Sequence, residues 1–94
     1  MNTIRINSKD YKVKFSYRTY MFYEEYTDVK SIQEIKGLKD TLTLFYCSLK
    51  AYNDFEYTFE QFLDLIEDDT NTGVVEQLTK MFIDSVSGVK KKNQ

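Results

Sequence analysis

Leu38-Lys39-Asp40-Thr41-Leu42-Thr43-Leu44-Phe45-Tyr46-Cys47-Ser48-Leu49-Lys50-Ala51-Tyr52 places Leu38, Leu42, Phe45, Leu49 and Tyr52 at steps of four, three, four and three. An α-helix turns once in 3.6 residues, so these five side chains share one face and the spacing predicts a helix that packs through it. It is the strongest periodic signal in the chain. Working outward from it predicts a mainly α fold: about four helices with an N-terminal β-hairpin.

Toward the C-terminus, Thr58-Phe59-Glu60-Gln61 has the spacing of a capping box, in which the Thr58 hydroxyl accepts from the Gln61 amide and the Gln61 side chain reaches back. Phe59, Phe62, Leu63 and Ile66 then supply an apolar face. Asp68-Asp69-Thr70-Asn71-Thr72-Gly73 reads as a polar loop, and Val74, Val75, Leu78, Phe82 and Val86 mark a last helix ending before Gly88. A single domain over residues 1–89 with a basic tail over residues 90–94 follows.

Toward the N-terminus, Asp28-Val29-Lys30-Ser31 breaks the pattern, and Ser31 to Lys36 forms a short helical turn ended by Gly37. Ser16 caps a helix through Tyr17, Tyr20, Met21, Tyr23, Glu24 and Tyr26. Thr3-Ile4-Arg5-Ile6-Asn7 and Tyr11-Lys12-Val13-Lys14-Phe15 alternate polar and apolar around Ser8-Lys9-Asp10, a hairpin over about residues 3–15. Tyr11, Val13 and Phe15 should face the helices and Lys12 and Lys14 the water.

The 94 residues fit one domain, which buries about two thirds of its unfolded surface. With 41% hydrophobic and 16% aromatic residues, no Pro and three Gly, the composition is that of a folded chain. No apolar run reaches the length of a bilayer span, and Met1 to Tyr11 hold no signal-peptide core, so the protein should stay where it is made. The single cysteine, Cys47, lies among Leu44, Phe45, Tyr46 and Leu49 and reads as a buried thiol.

Histidine is absent, which removes the commonest general base and metal ligand together. Gly37, Gly73 and Gly88 are too scattered for a phosphate loop. The stretch Asn53 to Phe62 superficially resembles the exit of a calcium loop. Placing Glu60 twelfth, however, puts Leu49 first and Asp54 sixth, where a carboxylate and a glycine are required. Glu24 and Glu25, like Asp68 and Asp69, are adjacent acids that point apart or sit in water. The expectation is a non-enzyme without cofactor or metal.

Between Ala51 and Thr79 there are eight carboxylates and no lysine or arginine, whereas residues 1–50 hold nine bases against six acids. The acidic part and the net charge of −2 disfavour nucleic acid, which would have to be met by the basic half alone. The same two-sidedness predicts head-to-tail self-association that weakens with salt.

Eight tyrosines and seven phenylalanines exceed what a small core absorbs easily. Phenylalanine reads as core. Exposed tyrosine and arginine are favoured interface anchors, so Tyr17, Arg18, Tyr20, Tyr23, Tyr46 and Tyr52 are the candidate partner-binding residues.

The runs Lys9-Asp10-Tyr11-Lys12-Val13-Lys14-Phe15-Ser16-Tyr17-Arg18, Tyr20-Met21-Phe22-Tyr23-Glu24-Glu25, Leu42-Thr43-Leu44-Phe45-Tyr46 and Thr58-Phe59-Glu60-Gln61-Phe62-Leu63-Asp64 resemble the small tail assembly chaperones of long-tailed bacteriophages. The likeness spans roughly Tyr11 to Ile66. It implies a helical protein of the host-cell cytoplasm that binds the tape-measure protein, keeps its coiled-coil segments soluble and helps recruit tail-tube subunits. Such proteins are commonly made in a short and a frameshift-extended form. Lys90-Lys91-Lys92-Asn93 is compatible with a slippery site, but a plain solubilising basic tail is the favoured reading. The rival reading is a small regulator or inhibitor that binds a host protein, or nucleic acid through Arg5, Lys12, Lys14 and Arg18.

Overall fold

A computed structural model describes residues 2–27 and 36–92. Strand β1 (Asn2–Ile6) and strand β2 (Lys9–Val13) pair antiparallel, with Ile6 opposite Lys9 and Asn2 opposite Val13. Asn7 and Ser8 join them with φ of 52° and 65°, the two left-handed residues of a tight hairpin turn. Asparagine tolerates that region better than most residues, so Asn7 turns the chain instead of ending a strand. The turn therefore precedes the expected Ser8-Lys9-Asp10. The alternation survives: Ile4, Ile6, Tyr11 and Val13 are buried, Phe15 is half-buried, and Lys12 and Lys14 are exposed.

Helix α1 covers Tyr17–Thr27, helix α2 Gly37–Tyr52, helix α3 Phe59–Glu67 and helix α4 Val74–Lys92, with a 3-10 turn at Asp69–Asn71 before α4. No described helix is long and apolar enough to cross a membrane. The expected short turn over Ser31 to Lys36 falls largely on residues 31–35, outside the described residues.

Helix α2 is the centre of the molecule. Its seven residues Thr43 to Leu49 are all buried, so it is enclosed on every side rather than packed through one face. Phe45, Tyr46 and Leu49 meet the hairpin, Phe55, α3 and α4 in one cluster, while Leu44 and Cys47 meet Tyr23 of α1 in a second. Burial of Thr43 and Ser48 is tolerated because their hydroxyls donate to backbone carbonyls of Lys39 and Phe45, at 2.7 and 2.6 Å. Leu38, at the start of the predicted face, is 73% exposed and lies outside both clusters. Phe15 touches both clusters and stacks edge-on against Phe45 and Phe82, at centroid distances of 5.8 and 5.4 Å.

The capping box of α3 forms as its spacing predicts: the Gln61 amide donates to the Thr58 hydroxyl (3.2 Å) and the Thr58 amide to the Gln61 side chain (2.9 Å). The stretch expected as a wet loop holds a buried residue. Asn71, 3% exposed, accepts from the Asn7 amide (2.8 Å) and donates to the Asn7 side chain and the Leu65 carbonyl. It ties the hairpin turn to the end of α3. Helix α4 runs past Gly88 to Lys92, beyond the expected end. A single glycine costs a helix only about 1 kcal/mol, and the lysines that follow are good helix formers.

Candidate functional site

The six candidate residues divide between surface and core. Tyr17 is 88% exposed at the start of α1. Arg18, one position on, is exposed and lies over the ring of Tyr52 at 5.8 Å from its centroid. The Tyr52 hydroxyl pairs with that of Ser16, so the Ser16 side chain bridges to α2. The backbone carbonyl of Ser16 still accepts the first helical bond, from Tyr20 at 3.0 Å. Thr19, fully buried, donates its hydroxyl to the Lys14 carbonyl (2.6 Å) and fastens α1 to the end of the hairpin.

Tyr20 is half-buried, and burial raises its pKa while the Ser85 hydroxyl of α4 partly offsets the rise. Tyr23 and Tyr46 are core residues, 1% and 3% exposed, and so leave the candidate surface. Tyr46 shows why: its hydroxyl donates to the Tyr57 carbonyl (2.6 Å), and its ring meets Phe55, Phe59, Phe62 and Tyr26. A tyrosine whose hydroxyl finds a carbonyl is buried as readily as a phenylalanine. Burial, with Asp40 and Cys47 nearby, raises the pKa of Tyr23, and the Thr27 side chain partly offsets the rise.

What remains on α1 is a mixed ridge of Tyr17, Arg18, Met21, Phe22 and Glu25, with Met21 61% exposed and Arg18, Met21, Phe22 and Glu25 lining a shallow hollow. A second apolar feature lies on α4. Val74, Leu78 and Phe82 turn toward the core, and Val75, Thr79, Ile83 and Val86 follow beside them at steps of four, four and three. The apolar arc of α4 is therefore wider than the face it buries, leaving Ile83 53% and Val86 51% exposed. Met21, Ile83 and Val86 were not singled out as contacts by sequence reasoning. The doubled arc on α4 is the signal that could have found the last two.

All eight carboxylates between Asp54 and Glu76 are exposed, as are Arg5, Lys9, Lys12, Lys14 and Arg18. Asp68 caps the 3-10 turn by accepting from the Thr70 amide (2.8 Å), and the Thr70 backbone and hydroxyl lower its pKa. Among the described residues one ion pair forms, Arg5 with Asp10 at 3.3 Å, and both side chains are largely in water. Such a pair contributes little. Cys47 is fully buried, and desolvation pushes its thiol up to about 12. Among the described residues no three histidine, cysteine, aspartate or glutamate side chains converge to hold a metal ion. Compared with known proteins, the chain finds no counterpart: no family model, no curated protein and no solved structure matches it.

Proposed function

We propose that this chain is a non-catalytic binding protein that sheathes an apolar stripe on a partner helix, acting as a tail assembly chaperone on a tape-measure protein and aiding tail-tube assembly. The observation that carries the reading is the surplus apolar arc of α4, with Ile83 and Val86 half exposed beside a hollow lined by Val75, Thr79 and Lys80. An amphipathic helix is recognised by a groove or strip that takes its apolar side chains at helical spacing. Tyr17, Arg18 and Met21 of α1 supply a second strip with a charged border, and Tyr52 lies under Arg18.

The test is co-expression with a tape-measure protein. The chain should hold that partner in the soluble fraction, and the double variant Ile83→Asp/Val86→Asp should release it while keeping its own helical circular dichroism. Equal precipitation of the partner with and without the chain refutes the reading. The regulator reading draws on Arg5, Lys12, Lys14 and Arg18, all exposed. Nucleic acid that copurifies and is shed by salt would favour it.

A further inference from the structure

The two edges of the hairpin are not alike. A two-residue turn makes the pair flanking it, Ile6 and Lys9, a hydrogen-bonded pair, and the pattern alternates from there. The backbone groups of Ile4 and Ile6 thus point into the ladder, and those of Thr3 and Arg5 point out of the sheet. On β2 the outward groups are those of Asp10 and Lys12. Lys12 is closed by Asn53, whose side chain accepts from its amide (2.9 Å) and donates to its carbonyl (2.7 Å). On β1 the outward amide of Asn7 is closed by Asn71 (2.8 Å). The outward amides and carbonyls of Thr3 and Arg5 have no partner among the described residues. Both residues are exposed.

We propose that β1 is a dimerisation edge: two copies pair β1 with β1, antiparallel about a two-fold axis at Ile4, into one four-stranded sheet. The open segment is two outward residues long and ends at Asn71, so a long foreign strand would run into the α3–α4 connection. A second copy fits the window. Antiparallel pairing sets Thr3 opposite Arg5 of the second copy and Arg5 opposite its Thr3, each a hydrogen-bonded pair that exchanges both bonds. All four open groups on each copy are then satisfied by the same two residues. On the solvent face the arrangement puts threonine beside arginine, avoiding like charges directly opposite, and each Arg5 keeps Asp10. Ile4, 2% exposed, is already enclosed in its own core, so the backbone of Thr3 and Arg5 makes the seam. Because Asn53 closes the far edge at Lys12, association stops at two copies instead of continuing as a fibre.

Light scattering reads the mass as the protein is concentrated, in low and in high salt. The expected result is a rise from 11.2 kDa toward twice that value, unaffected by salt because backbone bonds and not exposed charges hold the pair. Thr3→Pro removes one outward amide without touching the β1–β2 ladder, and the folded variant should stay at the single mass. Amide exchange in the unaltered protein gives a second readout should that variant fail to fold. Thr3 and Arg5 should become protected as concentration rises, while Asp10, outward on β2, keeps exchanging fast. Doubling that persists in folded Thr3→Pro, doubling abolished by salt, or Thr3 and Arg5 amides that exchange fast at every concentration would each overturn the proposal. None of these outcomes bears on binding through α4.

Discussion

Asn71→Ala tests how one buried amide joins the hairpin turn to the end of α3. In the native structure Asn71 accepts from the Asn7 amide and donates both to the Asn7 side chain (3.0 Å) and to the Leu65 carbonyl (2.8 Å). The Leu65 carbonyl keeps a second donor, the Asp68 amide at 3.2 Å, so its loss is small. The Asn7 amide keeps none, and orphaning a part-buried donor costs about 1 to 3 kcal/mol. The side-chain bond between the two asparagines adds about 0.5 to 1.5 kcal/mol. The expected loss is therefore roughly 1.5 to 4.5 kcal/mol, a large share of the total stability of about 5 to 14 kcal/mol for a chain of this length. Urea unfolding followed by circular dichroism reads it as a lower midpoint with an unchanged slope. Thr72→Ala, an exposed neighbour, is the control and should move the midpoint little. A loss below about 0.5 kcal/mol for Asn71→Ala would refute the claim that this side chain locks the hairpin to α3.

Phe45→Ala should cost about 3 to 5 kcal/mol in the same assay, since Phe45 is fully buried and its ring meets Phe15 and Phe82 edge-on. A variant that melts like the parent would mean the ring is not in the core. Burial raises the Cys47 thiol from 9.0 to about 12, so the unfolded chain ionises first. Stability contributed by the neutral thiol should be intact below pH 9 and drain away toward pH 12, and Cys47→Ala should make that stretch of the curve less steep, the buried tyrosines still contributing above pH 10. Disulfide reagents should leave the native thiol untouched and modify it once urea is added. Calcium and zinc titrated by calorimetry should show no micromolar site, as expected of a chain without histidine in which Leu49 and Asp54 hold the positions a calcium loop needs.

Features set by local chemistry were legible in the sequence. Alternation placed Ile4, Ile6, Tyr11 and Val13 on the buried face of a hairpin, and Thr58 with Gln61 marked the start of α3. The turn was misplaced toward Ser8-Lys9-Asp10 because the two turn-forming side chains of Ser8 and Asp10 outweighed the single Asn7. Features that depend on long-range partners stayed hidden. Helix α2 reads as one-faced because Thr43 and Ser48 look polar, yet each spends its hydroxyl on its own helix and tolerates burial. Asn71 sits in a run of polar residues, and only its meeting with Asn7 explains why it is inside. Among the candidate contacts, Tyr17 and Arg18 lie exposed. Tyr46 was drawn into the core by a carbonyl eleven residues away, which no periodicity reports.

Because Ile4 and Ile6 share a cluster with Val74 and Leu78, they leave the ribosome and then wait for residues made much later before they are covered. At the usual pace of synthesis, about 5 to 20 residues per second, the wait from Ile6 to Leu78 is roughly 4 to 15 seconds. A hairpin alone is marginal, so for that interval it cannot shelter those side chains by itself. Folding is thus tied to completion of α4, and a chain cut short before Val74 would leave the nascent hairpin as a substrate for cellular chaperones and proteases.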